Sequence, residues 1–344
     1  MAKVTIVVPI YNVEEYLPKC LDSLISQTFK DIEIWAISDG SPDNSVSIVK
    51  QYSAKDDRVK CIEKENGGYG SVLEYAIKNI HTEYFLICDP DDWLLEDAIE
   101  ILYKKATGNN LDLVYGSYYF VYSNDNETQY SRGSNKEIFE PISNVVYDSE
   151  IENFWFLAPN PHAKLYKTKM AKNIKFPHEV SFTDTVLYML FVGRAKRVMH
   201  IDQALAYYLI DREGNTMTDV KPQIADAQYA VFKTIWEQYE TYDNKKDCFY
   251  YKMYMNLHYA IQEIAKIKDR KSYDEKTKMI YELVQLCLSK RKLIKNQIKN
   301  KGYLSTKKKT FYTLLLMPIF SKTFYKHYVN KAYLNAHGGQ NVKK

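Results

Sequence analysis

Four uninterrupted apolar segments, each followed by an amphipathic helical pattern, constrain the fold of this 344-residue chain most strongly. The first, KVTIVVPIYN, is rich in β-branched residues and lacks apolar–polar alternation, which is typical of a strand buried on both faces of a parallel sheet. Apolar residues at helical spacing follow from Glu14 to Ser26. Further strands are predicted at residues 32–38, 59–63 and from Tyr84 onward. These repeats predict a doubly wound α/β fold, in which ligands bind at the carboxyl ends of the strands.

Each predicted strand ends in a polar cluster. In chain order, these clusters are Tyr11-Asn12, Asp39, Asn66-Gly67-Gly68 and Asp89 with Asp91. Because the carboxyl ends of parallel strands meet at one edge of a sheet, the clusters are expected to converge on a single binding site.

The fourth cluster, in YFLICDPDDW, contains three aspartates within four positions. Like charges this close repel one another unless a cation lies between them, and carboxylate oxygens suit Mg²⁺ or Mn²⁺. We interpret Asp89 and Asp91 as ligands of a divalent metal that holds a diphosphate. The alternative is a solvated acidic turn, with Asp92 near the N-terminus of a helix predicted over Leu94–Lys105.

PIYNVEEYLPKCLDSLISQTFKDIEI, SDGSPDNS, ENGG and CDPDDW, in this order and at these spacings, resemble family 2 glycosyltransferases of the GT-A fold. The resemblance covers roughly residues 3–215 and implies a Rossmann-like, mostly parallel sheet flanked by helices. It implies that Asp39 binds the base, usually uracil, and that Asp89 and Asp91 lie at the ribose and the metal-diphosphate. The residues implied to bind the nucleotide sugar are Pro9, Tyr11, Asn12, Asp39, Asn66, Gly67, Asp89 and Asp91. Arg212, in the segment after Tyr207-Tyr208, is a further candidate for the diphosphate, and a solvated loop is the alternative there.

A dinucleotide site is disfavoured by the position of the glycines, and an ATP site by the absence of a Walker-type G-K-[ST] motif. The dinucleotide fingerprint follows the first strand of a sheet and has a third glycine, whereas here the glycines follow the third strand and Leu73 occupies the last position. Family 2 members often continue from the double glycine to Ala-Arg-Asn. This chain has Leu73 and Glu74 at the Arg and Asn positions, which puts in doubt any donor contact made by that arginine.

The second half of the catalytic domain must supply a base for the acceptor hydroxyl. FPHEVSFTDTVLYMLFV resembles the family segment in which an acidic dipeptide precedes an aliphatic helix, and Asp184 is therefore the candidate base, with Glu179 as a back-up. The alternative is that Asp184 only caps that helix. In NPHAKLYKTKM, Lys164 matches a family lysine, and His162 replaces an asparagine as either a core histidine or a ligand.

The resemblance implies an inverting, metal-dependent enzyme that transfers a sugar from a UDP-sugar to a glycan hydroxyl. The Q-x-x-R-W signature of processive synthases is absent, which favours addition of one sugar per encounter. Alternatives are a dTDP- or GDP-sugar donor, or an inactive GT-A scaffold in a polysaccharide assembly complex. The expected partners are the nucleotide sugar, a lipid-linked glycan and, as a further possibility, a second copy of the chain.

From about Gln223 aromatic and lysine-rich helical patterns replace the strands, at residues 225–239, 247–268 and 273–297. We therefore predict a catalytic domain over 1–222, with a nucleotide-sugar half (1–115) and an acceptor half (116–222), and a helical region over 223–344. Residues 283–344 contain fourteen Lys or Arg and no Asp or Glu, so this tail carries +14 and the remainder about −10.

Within the tail, TFYTLLLMPIF follows three lysines and is too short to span a bilayer. Aromatic residues interleaved with lysines favour a segment in the interface of an anionic membrane. A solvated basic tail and nucleic-acid binding are the alternatives, and no nucleic-acid motif accompanies the charge. Five cysteines without metal-ligand spacing and the absence of a signal peptide predict a cytoplasmic protein, peripheral at the inner face of the membrane.

Overall fold

The computed structural model describes residues 2–122, 125–211, 223–302 and 304–337. The chain divides into two compact units. The first comprises Met1–Glu179 and Thr183–Asn215, and the second comprises Val180–Phe182 and Thr216–Lys344. The boundary predicted at residue 222 stays a prediction.

The N-terminal half of the central sheet consists of four parallel strands, β1 (Val4–Ile10), β2 (Ile32–Asp39), β3 (Val59–Lys64) and β4 (Tyr84–Ile87). The helices α1 (Leu17–Ile25), α2 (Ser45–Ser53) and α3 (Tyr69–Asn79) alternate with them. The spatial order is β3-β2-β1-β4. Because β2 and β4 lie on opposite sides of β1, the topology switches between β1 and β4, the position at which such sheets bind ligands.

Beyond β4 the sheet continues in the order β9, β6, β10 and β5, with β7 on β6 and β8 on β10. These strands are β5 (Trp93–Leu94), β6 (Leu113–Tyr122), β7 (Asp125–Ser131), β8 (Val146–Tyr147), β9 (Lys164–Lys167) and β10 (Val198–Leu209). Among the described strands of this half, β6 and β10 pair in parallel and the other pairs are antiparallel. The predicted parallel arrangement therefore holds for the N-terminal half, and the sheet as a whole is mixed.

The helices of this part are α4 (Ala98–Gly108), a 3₁₀ helix (Ile151–Phe156), α5 (Thr168–Ala171) and α6 (Asp184–Val192). The prediction of a helix from Leu94 is wrong, because Trp93 and Leu94 pair with Tyr207 and Ala206 of β10 and the helix begins at Ala98. Apolar residues of α1, such as Leu17 and Leu21, are fully buried in one core with β1 and β4. Complete burial of a leucine contributes about 1.5–3 kcal/mol, which fixes this helix on the sheet.

The second unit contains the helices α7 (Ile224–Glu240), α8 (Asp247–Ile264), α9 (Arg270–Ser289), α10 (Arg291–Asn300), α11 (Thr306–Leu315) and α12 (Pro318–Ala336). The predicted helix over 273–297 is interrupted at Lys290, which separates α9 from α10 and has the non-helical ψ of 19°. Among the described residues, we find no helix that combines the length and the apolar composition required to cross a bilayer.

The C-terminal helices pack within the second unit. The Tyr254 hydroxyl of α8 donates to the Tyr312 carbonyl of α11 at 2.9 Å, and the Tyr273 hydroxyl of α9 donates to the Val329 carbonyl of α12 at 2.6 Å. Tyr325 of α12 is 1% exposed. Part of the basic tail is therefore core, and only its outward residues remain for a partner.

Candidate functional site

The loops that follow β1 and β2 are tied to each other by hydrogen bonds. The Asn12 N–H donates to Ser41 Oγ at 2.8 Å, and the left-handed φ of 53° at Asn12 turns the chain there. Pro9 is buried in β1 opposite Ile37, whereas Tyr11 is 53% exposed. An exposed tyrosine on a tethered loop leaves an aromatic face available to a ligand such as a nucleotide base.

Asp39, at the end of β2, is 3% exposed and organises the loop after β3. Its carboxylate accepts hydrogen bonds from Gly67 N (3.0 Å) and Gly68 N (2.7 Å) and pairs with Lys64 Nζ at 2.5 Å. Asn66 Nδ2 donates to the Asp39 backbone carbonyl at 2.9 Å. The structure thus brings three predicted site residues together, and Asp39 has a structural role in addition to the base contact that the family resemblance implies.

Asp89 lies two residues beyond β4, at the topological switch point. The Tyr69 hydroxyl donates to Asp89 Oδ1 at 2.8 Å. Burial, followed by the negative charges of Asp92 and Asp91, raises the pKa of Asp89 to about 8. The mutual repulsion inferred from the sequence is therefore present in the folded protein, and a cation at this position would relieve it.

A buried pair lies beside Asp89. Asp92 and His162 are 3% and 4% exposed, and His162 Nδ1 lies 2.9 Å from Asp92 Oδ2. Asp92 Oδ1 also accepts a hydrogen bond from the backbone N–H of Leu209 at the end of β10 (3.0 Å), and the His162 ring stacks on Tyr208 at a centroid distance of 4.0 Å. Burial lowers the pKa of His162 to about 4, so the imidazole is neutral near pH 7.

One oxygen each from Asp89 and Asp92 and one nitrogen of His162 lie within 4.8 Å of one another, as expected of side chains able to hold a metal ion. Two carboxylates and a neutral imidazole suit Mn²⁺ better than Mg²⁺, which prefers oxygen ligands. Asp91, a predicted ligand, is outside this set, and its charge acts on Asp89 from close by. The sequence interpretation did not include Asp92 among the ligands, and considered it only in the alternative as a residue near a helix terminus. It left His162 undecided.

Asp184 is the first residue of α6, and its carboxylate accepts hydrogen bonds from backbone N–H groups of that helix. Burial nevertheless outweighs these bonds and raises the pKa of Asp184. Lys164 is 3% exposed, and its Nζ donates to Asn160 Oδ1 at 2.9 Å. Burial lowers the pKa of Lys164 to about 7, and the charge of Asp184 opposes that shift.

Four acidic residues act electrostatically on Tyr208. Burial raises the pKa of the Tyr208 hydroxyl, and the charges of Asp92, Asp89, Asp91 and Asp184 raise it further. The candidate base and the aspartates after β4 therefore share one electrostatic environment, although 92 positions separate Asp184 from Asp92 in the sequence. Arg212, the remaining predicted site residue, lies outside the described residues.

Comparison with known proteins places the chain in a family. A family model described as glycosyl transferase family 2 matches residues 5–174. GlyG of Streptococcus pneumoniae, a glycosyltransferase, is 31% identical over 212 residues, which cover 60% of this chain and 70% of GlyG. The chain belongs to glycosyltransferase family 2.

Two further comparisons bear on the length and the fold of this family 2 chain. GlyA of Streptococcus pneumoniae is 34% identical over 62% of this chain, and the matched segment spans 31% of GlyA. TarS 1–349 of S. aureus, crystallised with UDP-GlcNAc, has a TM-score of 0.74 at 20% identity and covers 99% of this chain and 93% of its own. The likeness to TarS confirms the predicted GT-A α/β fold with a C-terminal helical region.

Several residues of the candidate site were not found by sequence reasoning. Lys64 and Tyr69 contact the motif aspartates Asp39 and Asp89, but each contact joins segments from different strand–helix repeats. Lys64, two residues before Asn66, and Tyr69, directly after the double glycine, are recognisable in the sequence as basic and aromatic residues near a motif. Neither identifies its acidic partner without the folded loop.

Proposed function

We propose that this chain transfers a single sugar from a UDP-sugar to a hydroxyl group of a glycan, with inversion at the anomeric carbon. The observation that carries this proposal is that Asp89, Asp91 and Asp92, which follow the carboxyl end of β4, and Asp184, which begins α6, all act electrostatically on Tyr208. A cation offsets the negative charge of a bound nucleotide diphosphate. Transfer of a sugar to a hydroxyl group requires a base on the acceptor side to take the hydroxyl proton. TarS, a fold neighbour, was crystallised with UDP-GlcNAc, which supports a UDP-sugar donor.

In this proposal, the donor occupies the edge of the sheet formed by the ends of β1, β2 and β4. Tyr11 and Asn12 border the nucleotide, and Asp39 contacts the base while it holds the glycine loop. Asn66 and Gly67 lie near the nucleotide or the sugar. Pro9 shapes the floor of the pocket from β1, and Arg212 is proposed to contact the diphosphate.

Asp89 and Asp91 are the metal ligands proposed from the sequence, and the geometry supports Asp92 and His162 as further candidates. A bound Mn²⁺ or Mg²⁺ would neutralise the charge that develops on the departing diphosphate. The residues fit such an ion because ligand atoms of Asp89, Asp92 and His162 lie within 4.8 Å of one another. The imidazole of His162 is neutral, and burial together with the charges of Asp92 and Asp91 raises the pKa of Asp89.

Asp184 is the proposed general base. The acceptor hydroxyl oxygen attacks the anomeric carbon of the donor sugar while its proton passes to the Asp184 carboxylate. The bond between the anomeric carbon and the diphosphate oxygen breaks, and the nucleoside diphosphate departs with the bonding electrons. A single displacement of this kind inverts the anomeric configuration and requires one carboxylate on the acceptor side.

Two variants test the proposal through separate readouts. We expect Asp91→Asn to abolish Mn²⁺-dependent UDP binding, measured by calorimetry, together with sugar transfer. Asp184→Asn should retain UDP binding and lose transfer by a factor of about 10²–10⁴, the usual contribution of a general base. Wild-type transfer that survives both substitutions would contradict the assigned roles.

The alternative donors can be distinguished by testing which nucleotide sugar binds to the chain. A panel of UDP-, dTDP- and GDP-sugars with Mn²⁺ should raise the melting temperature only for the donor that binds the folded chain. An inactive scaffold would show no Mn²⁺-dependent stabilisation by any member of the panel. Stabilisation by GDP- or dTDP-sugars alone would reassign the donor and leave the reaction class unchanged.

The proposed location is the cytoplasmic face of an anionic membrane, where a lipid-linked glycan acceptor would reside. Residues 283–344 carry fourteen basic and no acidic side chains. Lys307, Phe311 and Leu314 of α11, at positions i, i+4 and i+7, form an exposed stripe, with Phe311 40% and Leu314 37% exposed. Basic and apolar side chains on one helical face suit the interface of an anionic bilayer. Self-association stays a prediction.

A further inference from the structure

The loop between β3 and α3 contacts the segment that leads to Asp184. The Glu179 N–H donates to the Gly67 carbonyl at 2.8 Å. Glu179 has a left-handed φ of 57°, a strained value for a residue with a side chain. This part of the chain therefore keeps an unfavourable conformation in which one of its amides faces the glycine loop.

Two glycines make the contact possible. Gly68 has a φ of 80°, and a Cβ at that position would lie 2.8 Å from the Glu179 nitrogen. Gly70 has no unusual φ, but a Cβ there would overlap the Pro177 carbonyl oxygen and lie 3.1 Å from Thr183 Cγ2. At Pro177 and Glu179 the segment therefore packs its backbone against the two glycines of the loop, which leaves no room for a Cβ.

The other side of the same loop is held by Asp39. Both oxygens of that carboxylate accept N–H groups of the loop, Gly67 N on Oδ1 and Gly68 N on Oδ2. Gly67 thus donates its N–H to Asp39 and accepts from Glu179 through its carbonyl. One residue, Gly67, therefore links Asp39, which is proposed to contact the nucleobase, to the segment that precedes Asp184, the proposed general base.

Helix α3 supplies a second tether through Glu74, which stands at the position where related sequences often have Asn. Its Oε2 lies 2.9 Å from His178 Nε2, and its Oε1 lies 3.2 Å from Lys175 Nζ. Glu74 is only about a quarter exposed, whereas the two basic side chains are more than half exposed. Leu73, at the preceding departure, is buried in the core. The glutamate that replaces asparagine at position 74 therefore has two basic partners, Lys175 and His178, in the segment that contacts α3.

We propose that the glycine loop and α3 position Asp184 for catalysis, with Gly68, Gly70 and Glu74 as positioning residues. Nucleotide binding beside Asp39 would order the loop and, through Glu179 and Pro177, the segment that ends at Asp184. Donor binding would then set up the base before an acceptor arrives. This inference rests on the proposed function, because it takes Asp39 as a donor contact and Asp184 as the base.

Gly70→Ala is the sharpest test, and Gly108→Ala is its matched control. Both glycines lie in helices, but a Cβ at Gly108 would meet nothing within 4 Å. We expect Gly70→Ala to lower kcat by about 10- to 100-fold, since a small misplacement of a catalytic group has effects of this size. The KM for the donor should stay within about twofold, because no donor contact is removed. Gly108→Ala should keep both constants.

Hydrogen exchange tests the tether without reference to catalysis. Peptides spanning residues 176–187 should exchange faster in Gly70→Ala than in the wild type, and saturating UDP with Mn²⁺ should slow them less. Glu74→Gln, a milder change that avoids any overlap, should lower kcat about two- to fivefold, as expected for a partly exposed ion pair. It covers the case in which Gly70→Ala fails to fold.

Unchanged kcat and unchanged exchange in folded Gly70→Ala would overturn the inference, as would an equal fall in kcat for Gly108→Ala. If Gly70→Ala does not fold, wild-type kcat and exchange in Glu74→Gln would overturn it. A wild-type protein that neither binds UDP nor transfers sugar would refute the proposed function instead. In that case the exchange comparison without ligand still decides whether the loop holds the segment.

Discussion

The pKa values of ionisable side chains around the candidate site are shifted in the directions that favour their neutral forms. Burial raises the pKa of Asp89 to about 8 and also raises that of Asp184, whereas it lowers the pKa of His162 to about 4 and that of Lys164 to about 7. Opposite shifts of acids and bases in one place are the expected result of a low-dielectric environment. Such clusters are enriched at functional sites, which agrees with the role proposed for this one.

The raised pKa of Asp184 predicts the acid limb of the pH–rate profile. A general base acts only as the carboxylate, so activity is complete above the pKa of the folded enzyme and is lost as pH falls through it. Because burial raises that pKa from 3.8, the acid limb of kcat/KM should lie above the range of an ordinary aspartate. The residual activity of Asp184→Asn serves as the control and should lack this limb. A limb that persists unchanged in Asp184→Asn would assign it to another group, such as Asp89.

Residues next to the ends of strands could be predicted from the sequence, and residues that reach them from elsewhere could not. Asp39 and Asp89 follow apolar runs, and the topology alone brings the ends of these strands together. His162 lies two residues before β9, so its pairing with Asp92 depends on β9 lying between β4 and β6. No local sequence pattern predicts that strand order. The partner of a buried charge is a tertiary property, whereas the charge itself is visible in the sequence.

At the scale of elements, the strands of the N-terminal half agree with the prediction to within one or two residues, because continuous β-branched runs have few alternatives. Leu94 was misassigned to a helix, since the two-residue strand Trp93–Leu94 is defined by its partner β10 and has no period of its own. In the second unit, amphipathic spacing predicted helices correctly, but the break at Lys290 carries no glycine or proline signal.

Helix α8 contains a buried histidine that should make the second unit sensitive to acid. His258 is 5% exposed, and within the described part of the chain neither ring nitrogen has a hydrogen-bond partner. The rings of Tyr254, Tyr312 and Tyr328 lie 4.5, 4.8 and 5.4 Å from its centroid. Burial lowers the pKa of His258 from 6.5 to about 3.

Because the pKa of His258 is lower in the folded state, the unfolded chain binds the proton more readily between these two values. The stability contribution is complete above pH 6.5 and is lost as pH falls toward 3. At pH 5 the cost is about 2 kcal/mol, from 1.36 kcal/mol per pH unit. His258→Phe should remove this part of the pH dependence, measured by urea unfolding at neutral and acidic pH. An identical loss of stability in both proteins would contradict the assignment.

For the molecule as a whole, the charge distribution is more informative than the net charge. A formal charge of +4 combines about −10 over residues 1–282 with +14 over residues 283–344. The structure restricts which tail residues can meet a partner, because Leu315, Leu316 and Tyr325 are buried in the helical unit. The sequence indicated a basic, aromatic segment but could not separate its inward aromatic residues from its outward ones, since both recur at helical spacing.

The exposed stripe on α11, together with the adjacent exposed Lys308, gives two variants that distinguish charge from apolar insertion at a membrane. Lys307→Gln with Lys308→Gln should reduce binding to anionic vesicles about 30-fold, since each lysine near such a surface contributes about 1 kcal/mol. Phe311→Ser with Leu314→Ser should weaken binding to anionic vesicles while preserving its dependence on salt, because it removes inserted apolar surface and no charge. Ile142→Ser, at a residue 66% exposed in the first unit, is the control for loss of an exposed apolar side chain and should float like the wild type. Flotation that is indifferent to anionic lipid, or that all three variants reduce equally, would show that α11 is not the membrane contact.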